Sequence, residues 1–315
     1  MKINSRKIRK VKKIFDSKNQ TLLIIFLVVV ASYLLGILSN KLIVLRDNNP
    51  PNEATSISQE NKDLSAIQTK VLKDKYVFKI KWADLGRRMV EDGVIDKIKL
   101  SQAVSGEDKL SKNLEEYFSS DQNQIELTQE NSHFWVDVLW ALGLANKNRI
   151  LEEGEMVSDG DASGFASTGG WTLGVSENAM NYYSKHSYIS LSEKQQKLVE
   201  EIAGNIYRPC CGNSTAFPDC NHGMAMLGLI ELMVSQNFSK DEIYKTALAF
   251  NTYWFPQTYL DIAYHFEKNG RDYSKVSASQ ILSKTFSSAM GYSAISDEVG
   301  TLPWPALKEG GSCGA

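Results

Sequence analysis

The chain has 315 residues, of which 43% are hydrophobic and 10% aromatic, enough for a sizeable core and too much for a disordered chain. Its 35 basic and 37 acidic residues leave a net charge of −2, which excludes a globally basic nucleic-acid binder. Four cysteines and four histidines are few, so their positions matter more than their number.

Residues 1–20 are a basic segment, with Lys2, Arg6, Lys7, Arg9, Lys10, Lys12, Lys13 and Lys18 against the single acid Asp16. Residues 21–45 then bring an uncharged apolar run, Leu22 to Leu38. About twenty such residues span a bilayer as one helix. The positive flank stays in the cytoplasm, so this pattern predicts a single-pass signal anchor in the cell membrane, with the bulk of the chain on the extracytoplasmic side. A cleaved signal peptide is the alternative, but the run is long for one and no clear cleavage site follows. Residues 46–75 are polar with paired prolines, Pro50 and Pro51, and read as a linker with a short helix at its end.

Beyond the linker the chain reads as mainly α, a helical bundle. Residues 76–191 form a helical region of unassigned role. Alternation in Tyr76–Ile80 allows one short strand or an extended lead-in, and Leu85, Met89 and Val90 share a helical face that Gly93 ends. A second helix is expected from Gly106 to Phe118, and the strongest begins after Thr128 and carries Phe134, Val138, Leu139, Trp140 and Leu142. His133 at its start reads as a packed or capping residue. The Gly/Ser/Asp-rich stretch at 158–174 must be a loop. Asp159, Asp161, Ser163 and Gly164 match the first half of a calcium loop, but Gly170 stands where a bidentate glutamate is needed, so a surface turn is expected.

Residues 192–307 form a second helical stretch. Ser192 and Gln195 make a capping box for a helix carrying Leu198, Val199, Ile202 and Ile206, which Pro209 is expected to end. A helix follows from His222 to Ser235. A second capping box, Ser239 with Glu242, starts another through Phe250 to Trp254. Short connections make these antiparallel neighbours. After Pro256 come a segment to Phe266, with His265 as a rim residue, and one helix from Ala278 to Met290. Residues 308–315 are a tail carrying Cys313.

Chemistry concentrates between the first two of these helices. Cys210, Cys211, Cys220 and His222 fall within thirteen residues. Three readings follow. In thiol/disulfide exchange, Cys220 sits before a helix start that favours its thiolate, Cys211 or Cys220 attacks, a second loop cysteine resolves, and His222 tunes the thiolate. A bond between adjacent Cys210 and Cys211 would be strained, whereas either could pair with Cys220. Alternatively the three thiolates and one imidazole bind zinc or copper(I), a suitable donor set in an unusual C-C-x8-C-x-H spacing. Lastly, one disulfide staples the loop of a structural or interaction domain. No serine-hydrolase motif occurs.

The stretch from about Leu198 to Tyr253 resembles the CcmH-type thiol oxidoreductase domain of bacterial cytochrome c maturation. Tyr207-Arg208-Pro209-Cys210-Cys211-Gly212-Asn213 occupies its L-R-C-x-x-C-Q-N loop motif, with Cys211 and Asn213 matching the second cysteine and the asparagine. Ser239, Glu242 and Ile243 match the last turn and helix start. Cys210 is adjacent to Cys211 where two residues should intervene, and Cys220 and His222 are additional. The resemblance implies a membrane-anchored small helical bundle exchanging disulfides with a cysteine-bearing client protein.

Overall fold

The computed structural model describes residues 53–305. The basic segment, the predicted membrane anchor at 21–45 and the tail with Cys313 lie outside them. Among the described residues no helix is long and apolar enough to cross a membrane.

The fold is mainly helical, with fourteen α-helices and two short strands among the described residues. Helix α1 (Glu53–Val71) occupies most of the stretch expected to be a polar linker with only a short terminal helix. From Asn61 onward the described residues belong to one compact unit, where Leu64 and Val71 are buried. Strand β1 (Lys75–Phe78) pairs antiparallel with β2 (Ile125–Thr128), Lys75 opposite Thr128 and Phe78 opposite Ile125. Between them lie α2 (Leu85–Glu91), α3 (Lys97–Ser105) and α4 (Lys112–Ser119). The single helix expected over Gly106–Phe118 is therefore two. Asp96 caps α3 by accepting from the Ile98 and Lys99 amides, and Gly106 ends it in the left-handed region at φ 73°.

Two helices that are buried almost all round form the centre: α5 (Ser132–Ala145) and α9 (Asn221–Ser235). Their backbones touch. A β-carbon on Gly143 would lie 2.1 Å from the Met224 carbonyl oxygen, and one on Gly228 would lie 2.5 Å from that of Leu139. The two run in the same direction. Their N-terminal ends meet on Trp254, whose indole donates to the Ser132 carbonyl at 3.1 Å and whose ring lies 5.6 Å from that of His222. Beyond the C-terminal end of α5, Asn146 donates to Glu231 of α9 at 2.7 Å.

The remaining elements wrap this pair. After α5 come α6 (Arg149–Glu153), α7 (Ala166–Gly169) and α8 (Glu193–Ala203), and after α9 come α10 (Lys240–Trp254) and α11 (Pro256–Lys268). Both expected capping boxes are present, at Ser192 with Gln195 and at Ser239 with Glu242. Helix α8 ends at Ala203, earlier than Pro209. Ile206 nevertheless stays buried, in the loop. Helices α8, α9 and α10 are antiparallel neighbours: Gln195, at the start of α8, donates to Val234 near the end of α9, and Trp254 ends α10 beside His222. The expected helix over Ala278–Met290 is three: α12 (Ala278–Ile281), α13 (Lys284–Ser287) and α14 (Ala289–Val299). Ser277 caps its start by accepting from the Gln280 amide, and inside the span Ser288 breaks it by accepting from the Gly291 amide and starting α14.

Five buried tryptophans tie separate parts of the fold together, each donating its indole N–H to a backbone carbonyl. Trp82 bonds Tyr117, Trp135 bonds Glu126, Trp140 bonds Ser167, Trp171 bonds Val94 and Trp254 bonds Ser132. Trp140 and Trp171 meet edge to face at 4.9 Å. Glu231 is fully buried, and Asn148 donates to its other oxygen at 2.5 Å. Burial drives its carboxyl well above the usual 4.5, against the opposing pull of the two amides.

Two outcomes test this core. Gly143→Ala forces the helices apart and is expected to cost about 3 kcal/mol or more in equilibrium unfolding. For Glu231, the raised folded pKa means that its contribution is fully present below the ordinary value of 4.5 and is lost as pH rises toward the folded value. The stability of Glu231→Gln relative to wild type should therefore climb from pH 4.5 upward, as read by denaturant titration at several pH values.

Candidate thiolate centre

Between α8 and α9 the chain makes a tight loop. A bridge joins Tyr207 to Ser214, and the Thr215 amide donates to the Ile206 carbonyl at 2.9 Å. Tyr207 is tied to Leu282 and the Cys211 carbonyl to the Ala289 amide, so α12 and α14 hold the loop from outside. The chain turns at Pro209 and Cys210. That turn overcomes the tendency of neighbouring side chains to point apart. As a result Cys210, Cys211 and Cys220 place all three sulfur atoms within 4.8 Å of one another. Cys210 Sγ and Cys220 Sγ are 3.5 Å apart.

Cys220 is the N-cap of α9, accepting from the Gly223 amide at 3.4 Å. Arg208 lies under the cluster with only 1% of its surface exposed. Its Nε donates to Cys220 Sγ at 3.0 Å. The other guanidinium nitrogens bond the carbonyls of Asn213 and Phe217 and, at 2.6 Å, Asp219 Oδ1. Asn213 donates to the second Asp219 oxygen at 2.7 Å. Gly223 makes the seat possible, because a β-carbon there would lie 2.4 Å from Arg208 Nη2.

Electrostatics then divide the sulfurs. Hydrogen bonds from Cys210 and Cys211, reinforced by the Arg208 charge, hold Cys220 well below the ordinary thiol value of 9.0 despite burial. For Cys211 the bond with Cys210 pulls down, but the bond to Cys220 together with burial outweighs it and pushes the thiol up to about 11. Burial works against the Arg208 charge, and the three cysteines more than restore it. The centre thus sets one acidified thiol beside a buried cation, with two neighbouring cysteines hydrogen-bonded to it.

His222 stands apart from this sulfur cluster. Its ring is buried against Trp254 and Phe255, 4.5 Å from the latter. Asp161 of the half calcium pattern accepts from the Ser163 amide and hydroxyl and forms an exposed turn. His265 faces Glu298 at 3.1 Å. The residues not anticipated are Arg208 and Asp219, although opposite charges flanking a cysteine loop are a readable signal. The chain matches no family model, no curated protein and no solved structure.

Arg208→Met removes the counter-charge of both Cys220 and Asp219 and leaves two backbone carbonyls without their donor. A loss of about 3–5 kcal/mol is expected, together with loss of thiolate ultraviolet absorbance at neutral pH. Arg208→Lys keeps the charge without the planar fork and should fall between the two.

Proposed function

We propose that the protein is a metal-binding protein that holds one copper(I) ion between Cys210, Cys211 and Cys220. One observation carries this reading: three sulfur atoms, two of them from adjacent residues, lie within 4.8 Å of one another. Disulfide chemistry needs only two such atoms. A soft monovalent ion accepts three thiolates, whereas zinc takes four ligands and here would need a donor from outside the cluster. Arg208 offsets part of the negative charge that three thiolates bring. Binding displaces the protons of the thiols, so affinity rises with pH. The apolar run at 21–45 behind a basic flank supports a membrane-anchored protein presenting this centre on the extracytoplasmic side.

A second reading, thiol/disulfide exchange, draws on the thiolate of Cys220 and on the resemblance to the CcmH-type domain. There Cys220 Sγ attacks a client disulfide and expels one client sulfur as thiolate. Cys210, 3.5 Å away, then attacks the mixed disulfide, releases the second client sulfur and closes a Cys210–Cys220 bond.

Anaerobic loading of the full chain with copper(I), followed by elemental analysis and thiol labelling, separates the two. One tightly held equivalent is expected, with all three loop cysteines shielded from alkylation until a copper(I) chelator is added. Cys220→Ser should abolish retention. A chain that holds no copper but forms a loop disulfide opened by mild reductant would replace this reading with exchange.

A further inference from the structure

The three sulfurs of the loop are not surrounded alike. Cys220 Sγ receives donors from two sides, Arg208 Nε at 3.0 Å and the Gly223 amide at 3.4 Å. Cys211 Sγ faces acceptors instead, the Asn213 carbonyl at 3.9 Å and Asp219 Oδ1 at 3.7 Å. A sulfur that accepts N–H bonds is held as a nucleophile, and one that faces oxygens is held as a thiol. Copper(I) would draw the protons from all three sulfurs alike, so a ligand set does not require this asymmetry. The donors are also fixed in advance. The Arg208 fork is pinned by Asn213, Phe217 and Asp219, and Gly223 belongs to the first turn of α9, whose N-terminus favours negative charge.

Cys210 supplies the second half of a two-electron reaction. Its sulfur lies 3.5 Å from that of Cys220, and the two are ten residues apart in sequence, so closing a bond between them avoids the strain of joining adjacent cysteines. We propose that the metal-free centre reduces hydroperoxides, with Cys220 as the attacking sulfur and Cys210 as the resolving one. All three sulfurs are partly buried, and a hydroperoxide brings only two oxygens to a recessed atom, whereas a client disulfide must bring its flanking chain as well. Cys220 Sγ attacks the terminal oxygen; an S–O bond forms, the O–O bond breaks, and the other oxygen leaves as alkoxide or hydroxide and takes a proton from water. Cys210 Sγ then attacks the sulfenic acid sulfur. The S–S bond forms, the S–O bond breaks, and the hydroxyl leaves as water with the Cys210 proton. The two sulfurs have given up two electrons and the peroxide has taken them, and an external dithiol restores the centre by exchange. Where copper binding holds as proposed above, this disulfide removes two of its three ligands, so peroxide would also discharge the ion.

The test uses the full chain, fully reduced and stripped of metal, with hydrogen peroxide as probe. One equivalent should be consumed per chain, about tenfold or more faster than by the same chain unfolded in urea. Peptide mapping should then find a Cys210–Cys220 disulfide, with Cys211 still open to alkylation. Replacing Cys210 and Cys211 together by serine removes both sulfurs that could resolve, so dimedone should trap a sulfenic acid on Cys220. Cys220→Ser should bring the rate down to that of the unfolded chain. Should these variants fail to fold, the folded and unfolded wild type decide alone. A folded rate no higher than the unfolded one, or a product without the Cys210–Cys220 bond, would overturn the proposal. No metal takes part, so the result stands apart from copper binding. A chain that holds copper yet reacts slowly keeps the copper reading and loses this one, and a chain that reacts fast without holding copper does the reverse.

Discussion

Backbone contact between α5 and α9 at Gly143 and Gly228 is the constraint on which the rest depends. Removing both β-carbons lets two apolar helices meet at carbonyl distance, and dispersion over that contact favours one register. With the register fixed, Asn146 and Asn148 reach Glu231 at one end, and Trp254 spans Ser132 and His222 at the other. The N-terminus of α9, and with it Cys220, is thereby held at a set depth beside the loop.

At that depth the loop meets a problem of charge. A guanidinium is withdrawn from water between a sulfur and a carboxylate that are themselves only partly exposed, a position the cation would resist alone. Together they alternate in sign from Cys220 through Arg208 to Asp219, and every guanidinium nitrogen has an acceptor. The positive end of α9 adds to the same balance. Cys220 can thus stay ionised in a place where Cys211, lacking a direct guanidinium contact, holds its proton.

Local signals in the sequence were the ones that survived. Capping boxes at Ser192 and Ser239, the short strand near Tyr76 and the helix starting near His222 depend on neighbours a few residues away, and all are present. Boundaries set by competition were less readable. Ser288 caps a new helix where periodicity alone runs on, and Asp96 starts a helix that apolar stripes alone do not mark. The clustering of cysteines was visible from spacing. That the adjacent pair shares one side of a turn, that Arg208 lies beneath it, and that His222 turns into the aromatic core all depend on long-range packing, which no local pattern encodes.

The shared direction of α5 and α9 also accounts for a part of the chain that otherwise looks unproductive. An antiparallel partner can follow its predecessor after a few residues. A parallel one obliges the chain to travel back the length of a helix, roughly 20 Å for one of this size. Everything between Asn146 and Cys220 makes that return journey. Its Gly/Ser/Asp-rich course, short helical turns and single longer helix α8 are what a crossover needs, much as parallel strands need a connection over the face of their sheet. The thiolate loop sits at the last bend of this detour, so the path that closes the topology is also the path that delivers the cysteines.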